Sequence, residues 1–172
     1  MPKVPAKKVR YGNRGMWLEN AIIHTNKQYR AKQLARIDKV PTDISYNTRT
    51  NKAYYKSKGT VDFTGLDKEG RFIAFDTKNT NGTSLPLSNI KQHQVDYLQE
   101  VKAMNGSAFF LIYFSKYKEL YRLDIATYLS AIKVLDRKSI PHSFFDEFEP
   151  IISKNGILFD YLGVEWWMNL KI

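Results

Sequence analysis

Cysteine is absent from the 172 residues. That excludes a disulfide framework, a thiolate zinc site and a cysteine nucleophile. Histidine is scarce: His24, His93 and His142 lie far apart in no ligand spacing, which argues against a histidine metal centre. Long apolar runs are missing as well. No stretch approaches the roughly 20 apolar residues that span a bilayer, and the N-terminus lacks the apolar core of a signal peptide. A soluble, cytoplasmic domain without a membrane partner is therefore expected. Repeats and low-complexity tracts are lacking, and the length is that of one domain, expected to run over 1–172. Acid is in deficit, with 17 Asp and Glu against 27 Lys and Arg, a net charge of +10.

What is present supports a packed domain with a polyanionic partner. Hydrophobic residues make up 43% of the chain and charged residues 26%, enough apolar surface to exclude wholesale disorder. The cations cluster. Lys3, Lys7, Lys8, Arg10 and Arg14 crowd the N-terminus, where residues 1–12 read as a mobile basic arm. Arg49, Lys52, Lys56 and Lys58 form a second cluster interleaved with Tyr46, Tyr54 and Tyr55. Cations neutralise phosphates and rings stack on bases, so this pattern points to nucleic acid.

Periodicity predicts a helix from Gly15 to about Tyr29, a short strand over Leu34–Lys39, and a polar protrusion, in the form of a hairpin, between Pro41 and Lys58. Strands are expected over Thr60–Thr64 and Arg71–Lys78, then a helix capped by Ser88 or Asn89 and stopped at Asn105-Gly106. The apolar run Ser107–Phe114 reads as a buried central strand, Glu119–Leu123 as another, and Asp124 as the cap of a helix to about Leu135. Ile157–Leu162 is the candidate last strand, and Trp166-Trp167 an apolar tail that packs on the body or on a second subunit. The order gives an α/β fold, a mixed central β-sheet flanked by helices.

The chemistry is expected in one hairpin. With Lys68-Glu69-Gly70 as a three-residue loop and Gly70 left-handed, Asp67 faces Arg71 and Asp62 faces Asp76. Alternation puts Asp62, Asp76 and Lys78 on one face, with Val61, Phe63, Ile73, Phe75 and Thr77 on the other. Two opposed carboxylates repel unless a cation lies between them, and oxygen ligands suit hard ions such as Mg²⁺ or Mn²⁺. Such a set fits metal-assisted phosphodiester cleavage, with Lys78 orienting a water or stabilising the transition state. The alternative is a surface hairpin with two exposed aspartates. Gln94, on the otherwise apolar stripe of the second helix, either orients water or phosphate at this site or is a satisfied core amide. Glu19, at the edge of the first helix's stripe, is either a third carboxylate ligand or a solvated helix residue.

Taken together, these residues resemble the PD-(D/E)xK nuclease superfamily and, more narrowly, the RecU-type Holliday junction resolvases of low-GC Gram-positive bacteria and their phages. The resemblance rests on Asn13-Arg14-Gly15-Met16-Trp17-Leu18-Glu19, Thr25-Asn26 with Tyr29, Val40-Pro41-Thr42, Val61-Asp62-Phe63-Thr64-Gly65, Phe75-Asp76-Thr77-Lys78-Asn79-Thr80, Leu85-Pro86-Leu87, His93-Gln94 with Tyr97-Leu98, and Ala108-Phe109. It covers residues 13 to 130 or so. It implies a homodimeric, Mg²⁺-dependent endonuclease (Mn²⁺ as substitute) that nicks four-way DNA junctions symmetrically in recombination and repair, alongside other recombination proteins. Carried over, Glu19, Asp62 and Asp76 are the metal ligands and Lys78 the catalytic lysine. Arg14 lies in the basic region, and residues 42–58 form the stalk that meets the junction through Arg49, Lys52, Tyr54, Tyr55, Lys56 and Lys58. Two departures stand out. Asp76 occupies a position where bacterial members carry Glu, and the segment from Pro41 to Asp62 is several residues shorter, as in a phage-encoded or divergent member. The alternatives are a nuclease of the same superfamily acting on other DNA, as restriction and repair enzymes do, and an inactive junction-binding module.

Overall fold

The computed structural model describes residues 13–41, 44–50, 52–55 and 60–163. Helix α1 (Asn13–Ala31) leads into strand β1 (Ala35–Lys39), and a hairpin of β2 (Ile44–Asn47) and β3 (Lys52–Tyr55) follows. Strands β4 (Phe63–Asp67) and β5 (Phe72–Thr80), short β6 (Ser84–Pro86), helix α2 (Gln92–Ala103), strands β7 (Ser107–Phe114) and β8 (Glu119–Asp124), helix α3 (Ile125–Val134) and short β9 (Ser139–Pro141) complete the order.

Five strands make one sheet in the order β1-β4-β5-β7-β8. Strands β5 and β7 are parallel, joined by a crossover containing α2, and the other pairs are antiparallel. β7 is buried on both faces apart from Tyr113, as its continuous apolar sequence requires. On one face Val61, Ala74, Phe110 and Ile112 pack against Val95, Leu98 and Val101 of α2 and Ile125 and Tyr128 of α3. On the other, Phe63, Ile73, Phe75, Phe109 and Leu111 pack against Leu18, Ile22 and Tyr29 of α1 and Ile157 and Tyr161 of the last segment. Phe63, Phe75 and Phe109 stack across three strands at 5.0 and 4.9 Å between centroids. The sheet is thus mixed and helix-flanked, as the sequence predicts. Among the described residues no helix is long and apolar enough to cross a membrane.

The β4–β5 turn forms as expected. Gly70 has φ +80°, and Asp67 Oδ1 accepts from the backbone N–H of Glu69 and of Arg71 at 3.1 and 2.8 Å. The pairing Phe63↔Phe75, Thr64↔Ala74, Gly65↔Ile73 and Leu66↔Phe72 is the predicted register. Gly65 is required by its neighbour: a Cβ there would lie 2.1 Å from the Arg36 carbonyl oxygen of β1.

Three expectations need correction. The ladder stops at Phe63, so Thr60–Asp62 is not strand. The backbone bends there, tied by the Val40 N–H donating to the Asp62 carbonyl at 2.8 Å, and Val61 joins the α2-side cluster while Phe63 joins the other. Helix α2 begins at Gln92 with Lys91 as its cap, because Leu87–Asn89 spends Ser88 and Asn89 in a 3-10 turn. Ile157–Leu162 forms no strand beyond an isolated Lys154↔Ile157 bridge. Its backbone is satisfied by α1 side chains instead: Leu158 N–H donates to Gln28 Oε1 and Leu162 N–H to the Tyr29 hydroxyl. Strands β6 and β9 pair into a small sheet that periodicity does not predict. The β2–β3 hairpin is a two-stranded sheet of its own, matching the expected protrusion in sequence position. The arm 1–12 and the tail holding Trp166 and Trp167 lie outside the described residues.

Candidate active site

Burial of Ala74 on the α2 face fixes, by alternation along β5, the direction of Asp76 and Lys78. Both therefore meet the first turn of α2. Asp76 is 1% exposed. Its Oδ2 accepts from Gln94 Nε2 at 2.6 Å, and its Oδ1 lies 2.5 Å from Lys78 Nζ. That second contact is an ion pair rather than an aligned hydrogen bond, and leaves Oδ1 buried without one. Lys78 Nζ donates to Gln94 Oε1 at 2.9 Å, and the same oxygen accepts the Lys91 N–H at 3.1 Å. Gln94 is therefore a hinge pin: its amide donates to the carboxylate, its carbonyl accepts from the ammonium, and the helix cap fixes it in place.

Asp62 enters from the bend before β4. Its Oδ2 accepts from the Thr77 N–H at 2.9 Å and from the Thr77 hydroxyl at 2.6 Å. The expected face-to-face ladder pair with Asp76 is thus replaced by an approach from the strand end. Asp62 is still close enough for its charge to act on Asp76. Burial, then Asp62, then Glu19 push the Asp76 carboxyl up to about 7, against the opposing pull of Lys78. Glu19 lies on α1, and its Oε2 forms an ion pair with Lys39 at the end of β1. Among the described residues no group of three or more His, Asp or Glu is close enough to hold a metal ion. Asp62, Asp76, Lys78 and Gln94 therefore come together, whereas Glu19 stands nearby, tied to Lys39.

The donor set fits a hard divalent cation in its chemistry. It offers carboxylate oxygens, one of them buried and short of a hydrogen bond, and no sulfur or imidazole. Asp76 and Asp62 would hold the ion, with Glu19 recruited away from Lys39.

Of the expected DNA contacts, Arg14 lies in the first turn of α1, Lys52, Tyr54 and Tyr55 lie on β3, and Arg49 is exposed in the β2–β3 turn. Lys56 and Lys58 lie outside the described residues. Sequence reasoning missed Thr77 and Lys39. Strict alternation assigns Thr77 to the core face; its one signal is a hydroxyl residue between the acid and the lysine. Lys39 becomes visible only once β1 is docked beside α1.

A mixed helix-flanked sheet with Asp76-Thr77-Lys78 on β5, Asp62 on the bend before β4 and a glutamine from the crossover helix is the arrangement that the resemblance to the PD-(D/E)xK class implies. Within that class, residues 13–164 match the profile of one family, described as Recombination protein U, and the chain belongs to this RecU family. A protein called Holliday junction resolvase RecU from Bacillus cereus strain AH820 is 39% identical over 151 residues, covering 80% of this chain and 75% of its own. Its namesake from Bacillus mycoides strain KBAB4 is 36% identical over 164 residues, covering 88% and 82%. Among solved structures, Hjc, a Holliday junction resolvase from Archaeoglobus fulgidus, aligns with a TM-score of 0.41 at 11% identity over 64% of this chain and 75% of that one.

Proposed function

We propose that this chain is a structure-selective endonuclease that cuts four-way DNA junctions by divalent-metal-assisted phosphodiester hydrolysis, acting as a homodimer that nicks two opposed strands. Family membership supports the substrate class. The observation that carries the chemistry is the buried Asp76 carboxylate, with one oxygen short of a hydrogen bond, an ammonium at 2.5 Å, and a second aspartate acting on its charge. Mg²⁺, or Mn²⁺ in its place, is the proposed ion. When bound it supplies an activated water and offsets charge building on the phosphorus.

The chain's own residues then divide the work. Gln94 holds Asp76 and Lys78 in fixed relation. Lys78 donates to the scissile phosphate or to the attacking water, since its ammonium is the cation at the site with three donors to share. Thr77 holds Asp62 against the strand end. Arg14, Arg49, Lys52, Tyr54, Tyr55, Lys56 and Lys58 grip the DNA arms, cations on phosphate and rings on bases. Recombination proteins are the proposed partners and the cytoplasm the proposed location. The test is cleavage of synthetic four-way junctions, flaps and linear duplex with and without Mg²⁺. Paired nicks on the junction in Mg²⁺ are expected. Equal cutting of all three DNAs would reassign the substrate, and no cutting of any would leave a binding module.

A further inference from the structure

The strongest feature outside the carboxylate pocket is an indole that the fold leaves in water. Helix α1 buries Leu18 and Ile22, but Trp17 is 49% exposed and its neighbour Met16 is 57% exposed. Trp17 is not loose. Its ring lies 5.0 Å from the Tyr113 ring at an angle of 41°, so a half-buried tyrosine props it from below. Tyr113 stands in register with Asn79, the residue after Lys78, and Glu19 follows Trp17 by two residues on α1. Lys116 and Lys118, both exposed, occupy the turn just past the end of β7. An aromatic ledge, a cationic turn and the carboxylates therefore share the end of the sheet where β5 and β7 finish.

We propose that Trp17, backed by Tyr113, is a stacking platform for a nucleobase exposed at the crossover of branched DNA; this rests on the junction-cutting function proposed above. Trp17 and Tyr113 stand on the α1 face of the sheet and Asp76 and Lys78 on the α2 face, so a strand with its phosphate at Asp76 reaches the ledge by passing over the strand ends. Lys116 and Lys118 match the charge of its backbone, which favours DNA over a second protein as the occupant. A continuous duplex hides its base faces within the stack, whereas the centre of an open four-way junction ends four helical arms and exposes their terminal base faces. An indole ring binds such a face irrespective of sequence. The ledge therefore distinguishes branched from linear DNA where the carboxylates cannot.

The test uses the full chain with chelator present, so that binding is read without cutting. Wild type, Trp17→Ala and Trp17→Phe are compared by anisotropy on a labelled four-way junction and on a linear duplex of the same arm sequence. Thermal melting checks that each variant folds. Trp17→Ala should weaken junction binding by roughly 5- to 100-fold and duplex binding by less than about twofold, while Trp17→Phe keeps most of the affinity. A 2-aminopurine at the crossover should be quenched by wild type and by Trp17→Phe but not by Trp17→Ala. Unchanged junction affinity in Trp17→Ala, or equal losses on both DNAs, overturns the platform. So does a drop in sedimentation coefficient, which assigns the ledge to a second copy of the chain. A wild type that binds both DNAs alike removes the junction reading and the platform with it. One that prefers junctions while Trp17→Ala matches it removes the platform alone.

Discussion

A carboxylate at 1% exposure, beside two other acids, favours its protonated form, and Asp76 rises to about 7 for that reason despite the ammonium of Lys78. The sign of the consequence for stability follows from linkage. Between pH 4 and 7 the folded chain holds a proton on Asp76 that the unfolded chain has lost, so stability from this group falls as pH rises through that window. Asp76→Asn cannot titrate there. Its stability relative to wild type, in chelator, should climb by at most about 4 kcal/mol from pH 4 to pH 8; a difference independent of pH in parallel urea titrations would contradict the burial account. A hard cation competes with that same proton, so metal should narrow the gap at pH 8 by stabilising wild type. Thr77 offers a second test. Thr77→Val keeps the N–H bond to Asp62 and deletes the hydroxyl bond, which should cost about 10- to 100-fold in nicking while leaving the melting temperature within a few degrees. An unchanged nicking rate would mean that the backbone bond alone holds Asp62.

The β4–β5 hairpin shows what can be read from the sequence at the level of elements. Its turn chemistry at Asp67 and Gly70 sets the register, and the register places Asp76 and Lys78 on one face correctly. The bend at Asp62 is not legible, because it is set by Val40, far earlier in the chain, once β1 lies beside β4. The same applies to the last segment: its apolar alternation reads as strand, but the donors and acceptors that meet its backbone belong to Gln28, Tyr29 and Arg122. Gln94 is recognisable as a polar interruption of an apolar stripe, though not as the link between Asp76 and Lys78. For the cation cluster between Arg49 and Lys58 the prediction is electrostatic. Replacing Arg49, Lys52, Lys56 and Lys58 by alanine should weaken junction binding and flatten the plot of log affinity against log salt by about 0.9 for each phosphate left without its cation. Gel shifts across a salt series measure this, and an unchanged slope would take this cluster off the DNA.

Across the whole molecule the sheet separates two tasks. One end is closed by Arg122, 7% exposed, which donates to the Tyr161 carbonyl at 3.1 Å and Ser107 Oγ at 2.9 Å and lies 3.9 Å over the Phe109 ring. Burial pulls that guanidinium down to about 10, and its bonds anchor the last segment to the core. The other end carries the carboxylates and the ledge of Trp17. The net charge of +10 favours approach of a polyanion, and the acidic pocket is a local exception to it. A junction with two-fold symmetry calls for two such pockets related by a two-fold axis, which is the physical reason to expect a dimer. The decisive experiment is the nicking of a mobile four-way junction by wild type, Asp62→Asn and Asp76→Asn, with junction binding measured alongside. Paired nicks are expected from wild type in Mg²⁺, none in chelator, and none from either variant, with binding nearly intact in all three. Mg²⁺-dependent nicking by either variant at the wild-type rate would contradict the assignment of both aspartates to the metal.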